Sequence, residues 1–458
     1  MASRHEISRR RVLQGAGAAL LGAAAPQLLA RGPARPNILF ILADDLGYAD
    51  LSCYGRRDYR TPHLDGLAGN GLRMTQGYSN SPVCSATRIA LITGRYQYRL
   101  RAGLEEPIVR EDRTIGLPPG DPTLPAQLRR IGYSTALVGK WHIGWAPEHG
   151  PLRSGYDSFF GILPGAADYF THSGDGVAVP KETSLYEGDR PVSKRGYLTS
   201  LFADRACEEI RKAVSAGTPF FISLHFNAPH WPWQGPADEG APSWKEDLFH
   251  TDGGTMAKYA EMVTALDSAV GRVLAELAAA GVAEETIVVF TSDNGGERFS
   301  DTWPFRGEKT DLLEGGIRVP LIVSWPNRIR PGSAEGQVMI SMDWLPTLLA
   351  AAGARPDRHA APDGENLLPV LTGAQEPQER TLFWRYKNRD QAAARSGRWK
   401  YLKVGKEEAL YDLASDPRER ANLRAKEKVR FAALKESFER WNAAMLPYPE
   451  GSVSAGHA

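Results

Sequence analysis

Short, uninterrupted apolar runs alternate along the chain with stretches in which apolar residues recur every three or four positions. Residues 37–42 form such a run after Pro36 and end in Ala43-Asp44-Asp45. Residues 135–138, 220–226, 286–290 and 320–323 are runs of the same kind. Apolar runs of this length predict strands buried on both faces of a parallel sheet. Between them, Leu124, Leu128 and Ile131 before Gly132 follow a helical repeat, as do Met262, Val263, Leu266, Val270, Val273, Leu274 and Leu277. Strand–helix alternation on this scale predicts an α/β domain over residues 35–350, with a large, mixed but mostly parallel sheet sandwiched by helices. Residues 351–373, rich in Ala, Gly, Pro and Asp, read as a crossing. Residues 381–384 and 399–404 read as short antiparallel strands and 427–446 as a charged helix. They belong to a smaller C-terminal α+β domain over residues 374–450, followed by a tail at 451–458. Residues 172–195 have little periodicity and read as a surface loop.

Composition narrows the function classes. Hydrophobic residues are 42% and charged residues 24% of the 458, which is ordinary for a chain with a core and excludes disordered or fibrous classes. Lys and Arg total 55 against 54 for Asp and Glu, so no basic excess points to nucleic acid. Three cysteines exclude a disulfide scaffold. The body holds no apolar run long enough for a membrane span. Residues 1–30 read as an export signal: Arg9, Arg10 and Arg11 precede an uncharged Ala-, Gly- and Leu-rich stretch. The adjacent arginines resemble a twin-arginine signal, which implies the twin-arginine export machinery as partner and a periplasmic or secreted destination. Removing residues 1–30 leaves a net charge near −2.

Candidate chemistry gathers where strands end. Ligands of open α/β sheets bind outside the carboxyl ends of the strands. Asp44-Asp45 and Asp293-Asn294 each follow a buried run there. Together they offer an all-oxygen donor set suited to Ca²⁺, with Mg²⁺ the alternative. Cys84 opens a helical segment closed by Gly94, where free backbone amides favour negative charge. Lys140 and His142 follow one strand, His230 follows another, and Lys309 lies in a later loop. Cations around a divalent metal describe a pocket for a tetrahedral anion. Trp231-Pro232-Trp233 follows His230 directly, and Trp233 is a candidate platform for a sugar ring.

The sequence resembles the type I, formylglycine-dependent sulfatases of the alkaline phosphatase superfamily, with arylsulfatase-like motifs. The resemblance rests on Pro36 to Gly47, on Cys84-Ser85-Ala86-Thr87-Arg88 with Thr93-Gly94-Arg95, and on Gly139-Lys140-Trp141-His142-Ile143-Gly144. It continues through Asn227-Ala228-Pro229-His230, Ser292-Asp293-Asn294-Gly295 and Glu314 to Pro320, to Arg395 to Tyr401 and Leu410 to Leu413, in family order over residues 36–425. It implies an alkaline-phosphatase-like fold and conversion of Cys84 to 3-oxoalanine (formylglycine) by a formylglycine-generating enzyme. It further implies a metal held by Asp44, Asp45, Asp293, Asn294 and residue 84. Arg88 would steady the hydrated aldehyde, and Lys140, His142, His230 and Lys309 would bind and act on a small or oligomeric sulfated substrate. Ala86 stands where the common Cys-x-Pro-x-Arg signature has proline. Two alternatives remain open at this stage: a phosphonate monoester or phosphodiester hydrolase of the same fold, and a non-catalytic sulfoglycan-binding protein.

Overall fold

The computed structural model describes residues 35–174, 184–240 and 253–455. The export signal read in residues 1–30 and part of the loop read in residues 172–195 lie outside them. Ten strands form one sheet in the order Ser333–Glu335, Leu72–Met74, Leu321–Ser324, Thr286–Ser292, Asn37–Ala43, Phe220–His225, Ser134–Gly139, Ser158–Ile162, Leu185–Glu187 and Arg190–Pro191. The central strands are parallel: Asn37–Ala43 pairs with Thr286–Ser292 on one side and Phe220–His225 on the other. Antiparallel neighbours, such as Leu321–Ser324 against Thr286–Ser292, close the flanks.

The apolar runs are continuous because both faces of the sheet are covered. Leu39, Ile41 and Ala43 enter a core shared with the helices Leu198–Ser215 and Met256–Ala279. Ile38, Phe40 and Leu42 enter the opposite core, with Ile89, Leu128 and Leu345 from three other helices. The stripe read in residues 262–277 is buried as expected except for the half-buried Leu274, on a helix whose Thr255 side chain accepts from Lys258 N and caps its start. Residues 172–195 are not all loop: Leu185–Glu187 and Arg190–Pro191 form a hairpin that extends the sheet edge. Gly188 takes a positive φ in its turn, and no apolar alternation marks so short a pair.

Four antiparallel strands, Thr381–Tyr386, Gln391–Ser396, Trp399–Val404 and Glu407–Asp412, make a second sheet. The helix Lys428–Ala443 packs on it through Leu434 and Phe438. The sheet's other face shares a core with Ala86 and Ala90, so it backs the helix that begins at Cys84. A buried charge cluster pins this junction: Lys400 Nζ lies 2.9 Å from both Glu314 Oε1 and Glu419 Oε1. Among the described residues no helix is long and apolar enough to cross a membrane, and Cys53, Cys84 and Cys207 are all free.

The tail also docks. Glu106 N donates to Val453 O and Ala455 N to Glu106 O, while the Glu106 carboxylate accepts from Lys387 N, Tyr448 Oη and Ser454 Oγ. Burial pushes the Glu106 carboxyl up from 4.5 to about 7, against the pull of those donors and of Arg385. The folded chain therefore keeps a proton that the unfolded chain has lost between these values, and stability falls as pH rises through that window. Glu106→Gln should flatten that part of the decline, by at most about 1.4 kcal/mol per pH unit. Urea unfolding midpoints across the window check this; parallel curves for variant and parent would refute it.

Candidate active site

Four strand ends and one helix converge. Phe226 N bonds Leu42 O, Asp44 N bonds Ala228 O and Asp293 N bonds Ala43 O, so the sheet register continues into the residues that follow it. On the next strand, Lys140 N bonds His225 O and His142 N bonds Leu163 O. Gly139 is required in this weave: a Cβ there would lie 1.8 Å from His225 O, and its φ is +117°. These bonds bring Asp44, Asp45, Asp293, Asn294, Lys140, His142 and His230 to one edge of the sheet. Cys84 is the first residue of the helix Cys84–Thr93, every residue of which is buried. Gly94, in the left-handed region, ends it. Ala86 is its third residue, where the backbone N–H has no acceptor within the helix, so alanine in place of proline leaves the helix start unchanged.

The site is a lattice of buried charge. Arg88 Nε donates to Asp293 Oδ2 at 2.9 Å and its Nη1 to Lys140 O at 2.9 Å, with Nη2 3.7 Å from Asp44 Oδ1. Lys140 Nζ lies 2.6 Å from Asp44 Oδ2. Lys309 Nζ lies 2.7 Å from Asp45 Oδ2 and 2.7 Å from Glu297 Oε1. Its loop is tied in place by Lys309 N to Gly296 O and Thr310 N to Pro82 O. Burial pushes the Asp45 carboxyl up, but Lys309, His230 and Lys140 outweigh it and hold the group well below the usual carboxylate range. Asp293 is raised by burial and by Asp44, against Arg88. Burial also pushes the Cys84 thiol well up, although Lys140 and Lys309 oppose it. Its Sγ lies 3.8 Å from Asp45 Oδ1.

The two histidines are oriented by carbonyls, which can only accept. His142 Nε2 therefore donates to Ile108 O at 2.7 Å, and Nδ1 is buried without a hydrogen bond. The residue has φ +60°, and Gly165 leaves room for the ring, since a Cβ there would lie 2.6 Å from Cε1. His230 Nδ1 donates to Trp231 O at 2.6 Å, which leaves Nε2 facing Asp45 Oδ2 at 3.5 Å. Burial lowers the His230 pKa to about 4, against the attraction of Asp45.

A metal fits the oxygen atoms present. Asp44 Oδ1 and Asn294 Oδ1 are buried without a hydrogen-bond partner. Asn294 Nδ2 donates to Asp45 Oδ1 at 2.7 Å, and Asp45 N approaches Asp293 Oδ1 at 3.3 Å. Donor atoms of Asp44, Asp45, Cys84 and His230 all lie within 4.8 Å of one another. Orphaned carbonyl and carboxylate oxygens in a charged, dry cluster suit a hard cation.

All ten candidates other than Trp233 thus come together. The described ring contacts of Trp233 are with Phe299 at 5.3 Å and Tyr259 at 6.0 Å, while Trp231 lies on the His230 ring at 4.7 Å. Two contributors were not read from the sequence: Glu297 and the Ile108 carbonyl. Only Glu297 left a trace there, as an acidic residue three beyond Asn294.

Arg88→Ala would leave Asp293 and Asp44 buried without their guanidinium. With divalent cations chelated, the loss should be about 3–5 kcal/mol in urea unfolding. A midpoint equal to the parent's would show that Arg88 does not hold the lattice together.

A sequence model described as Sulfatase matches residues 36–354, and one described as N-sulphoglucosamine sulphohydrolase, C-terminal, matches residues 307–442. Arylsulfatase J of Mus musculus is 32% identical over 363 residues, 77% of this chain and 58% of its own length. N-acetylgalactosamine-6-sulfatase of Canis lupus familiaris is 32% identical over 394 residues, 82% of this chain and 72% of its own. The crystal structure of Ps i-CgsB in complex with k-i-k-neocarrahexaose matches with a TM-score of 0.82 at 29% identity, covering 91% of this chain and 94% of that one. The PsFucS1 sulfatase from Pseudoalteromonas sp. matches with a TM-score of 0.75 at 25% identity, covering 92% of each chain. With the family's sequence model spanning the whole of the large sheet, the chain belongs to the sulfatase family.

Proposed function

We propose that the chain hydrolyses a sulfate ester of a carbohydrate, with residue 84, converted from Cys84 to formylglycine, as the nucleophile. A divalent cation, Ca²⁺ in the first instance, is held by Asp44, Asp45, Asp293, Asn294 and residue 84. The observation that carries this reading is the charge balance of the pocket. Asp44, Asp45, Asp293 and Glu297 face Arg88, Lys140 and Lys309. With all seven ionised the pocket is one positive charge short of neutrality. A divalent cation makes it one in excess, which suits the single charge of a sulfate monoester. The carbohydrate is supported by the saccharide bound in Ps i-CgsB and by the name of N-acetylgalactosamine-6-sulfatase.

A cation held there would supply fixed positive charge, lowering the proton affinity of an adjacent hydroxyl and offsetting charge on the ester. As formylglycine hydrate, residue 84 would supply two hydroxyls on one carbon, one to take the sulfuryl group as the S–O bond to the sugar breaks and one whose proton loss would restore the aldehyde as sulfate leaves. The chain's own residues do the rest. Asp293, raised by its surroundings, takes a proton, and Arg88 keeps that carboxylate from swinging away. Lys140 and Lys309 offset charge on the sulfuryl oxygens in a site dry enough to make that stabilisation large. His142 Nδ1 carries the free lone pair for the second proton, because Ile108 fixes the other nitrogen as a donor. The Lys309 ammonium, held charged by Asp45 and Glu297, is the proton donor for the leaving oxygen, and the neutral His230 ring turns the lone pair of Nε2 to the same pocket. The arginines of residues 9–11 support export of the folded chain to the periplasm or beyond, after a formylglycine-generating enzyme has acted.

The test is chemical. A peptide spanning residue 84 from active protein should be about 18 Da lighter than the cysteine form, as for any declared covalent change. Cys84→Ala should fold normally and turn over neither a sulfated saccharide nor an aryl sulfate. Near-normal turnover by Cys84→Ala would overturn the mechanism, and faster hydrolysis of a phosphonate monoester than of the matched sulfate would overturn the substrate class.

A further inference from the structure

The backbone that fixes His142 is itself held by the far end of the chain. Ile108 is buried, and its two backbone groups reach two residues of the pocket. Its N–H donates to Ser85 Oγ at 2.9 Å, next to Cys84, and its carbonyl accepts from His142 Nε2 at 2.7 Å. Among the described residues that is the one hydrogen bond of the His142 ring, and Nδ1 has none. A neutral imidazole carries its proton on one nitrogen only, and the acceptor that the ring meets decides which. The place of the Ile108 carbonyl thus decides that Nδ1 keeps its lone pair.

Glu106 stands two residues before Ile108, with only Pro107 between them, whose ring fixes one backbone angle. The Glu106 carboxylate is buried and accepts from Lys387 N at 2.9 Å, Tyr448 Oη at 2.8 Å and Ser454 Oγ at 3.3 Å. Its backbone pairs with the tail on both sides, N to Val453 O at 3.0 Å and O from Ala455 N at 2.6 Å. Glu105 Oε2 adds a bond from Val453 N at 2.8 Å. The tail is moored in turn to the small sheet, by Lys387 Nζ to Ser452 Oγ at 2.9 Å and by Tyr386 Oη to Ala455 O at 2.6 Å. On the other side of Ile108, Trp145 Nε1 reaches Arg110 O at 3.1 Å. Most of the bonds that hold Ile108 along the chain therefore lie at Glu106. A carboxylate is costly to bury unless its hydrogen bonds offset the cost. The reaction gives this one no proton to move, and what it gathers is the tail, Lys387 and the backbone leading to Ile108.

We propose that Glu106 is a positioning residue of the reaction: braced by the docked tail, it holds the Ile108 carbonyl on His142 Nε2 and so keeps Nδ1 ready for the second proton. This rests on the reading of His142 as the group that takes that proton. Glu106 touches no substrate. Its loss slows the release of sulfate and spares the earlier cleavage of the ester bond, which does not use His142.

The test uses the full chain and an aryl sulfate whose phenol leaves readily, so that sulfate release limits turnover. Rates are expressed per molecule converted at residue 84, counted from the mass of its peptide. Glu106→Ala should lower kcat at least about tenfold, the scale of one lost charge-assisted hydrogen bond. KM should fall in the same proportion, leaving kcat/KM within about twofold of the parent. Glu106→Gln keeps an acceptor for Lys387 N and should recover kcat to within about threefold. Ala455→Pro removes one tail donor and no side chain of the core, so it carries the test if Glu106→Ala does not fold; both constants should move the same way by a smaller factor. Amide hydrogen exchange over residues 104–110 reads the brace without turnover and should quicken at least about fivefold in Glu106→Ala and Ala455→Pro. A loss in kcat/KM equal to the loss in kcat reduces Glu106 to holding the fold, as does a glutamine variant as slow as the alanine one. Quickened exchange with the parent's kcat overturns the link from Ile108 to His142. His142→Ala with the parent's kcat overturns the reading of His142 itself, whichever way the Glu106 variants behave.

Discussion

Like charges can be crowded at the ends of neighbouring strands only where cations without access to water stand between them. Asp44, Asp45 and Asp293 are 0%, 3% and 0% exposed, and carboxylates a few ångströms apart in so dry a place repel strongly. Arg88, Lys140 and Lys309 come from a helix, a strand end and a loop, and each reaches a different carboxylate. The helix Cys84–Thr93 can dock only with Arg88 against Asp293, and that docking sets where residue 84 points. The lysine pairings fix the strand ends in the same way. The sheet register brings the carboxylates together, and the buried cations then fix helix position and pocket chemistry in one arrangement of charge.

Two further polar networks hold that arrangement from outside. Asp50 accepts from Gly47 N, Tyr259 Oη, Ser300 Oγ, Asp301 N and Arg56. It thereby ties the turn after Asp45 to the loop after Asn294. Glu314 takes Tyr78 Oη, Arg318 and Lys400. Its short helix also supplies Gly316 O to Gly295 N, next to Asn294. Fully satisfied networks of this kind are stiff, because no member can move without stranding a buried partner. The small sheet reaches the site through Lys400 and contributes stiffness rather than reacting groups.

Much of this was legible in the chain. The central strands were readable because burial on both faces leaves unbroken apolar runs, and Asp44, Asp45, Asp293 and Asn294 because each pair follows such a run. The strand Gln391–Ser396 was not: alanines flanked by glutamine, arginine and serine carry no strand preference, and its neighbours on either side dictate its shape. Nor does spacing settle ring direction in Trp231-Pro232-Trp233, where the structure lays Trp231 on His230 and packs Trp233 against Phe299. Glu297 stayed hidden because its partner Lys309 is twelve residues away, and only the loop's path brings them together. Lys309 itself was read from the family pattern and the topology, since no repeat marks it.

The Cys84 side chain is 1% exposed, at the start of a helix with no exposed residue. On the proposed chemistry, the enzyme that oxidises it can reach the thiol only while this helix is unpacked. Folding and oxidation therefore run a race during synthesis, and a chain that folds first is sealed as the thiol. The ratio of the two forms in a preparation is then set before the helix packs. The preparation's specific activity measures how often oxidation won as much as how fast each competent molecule turns over.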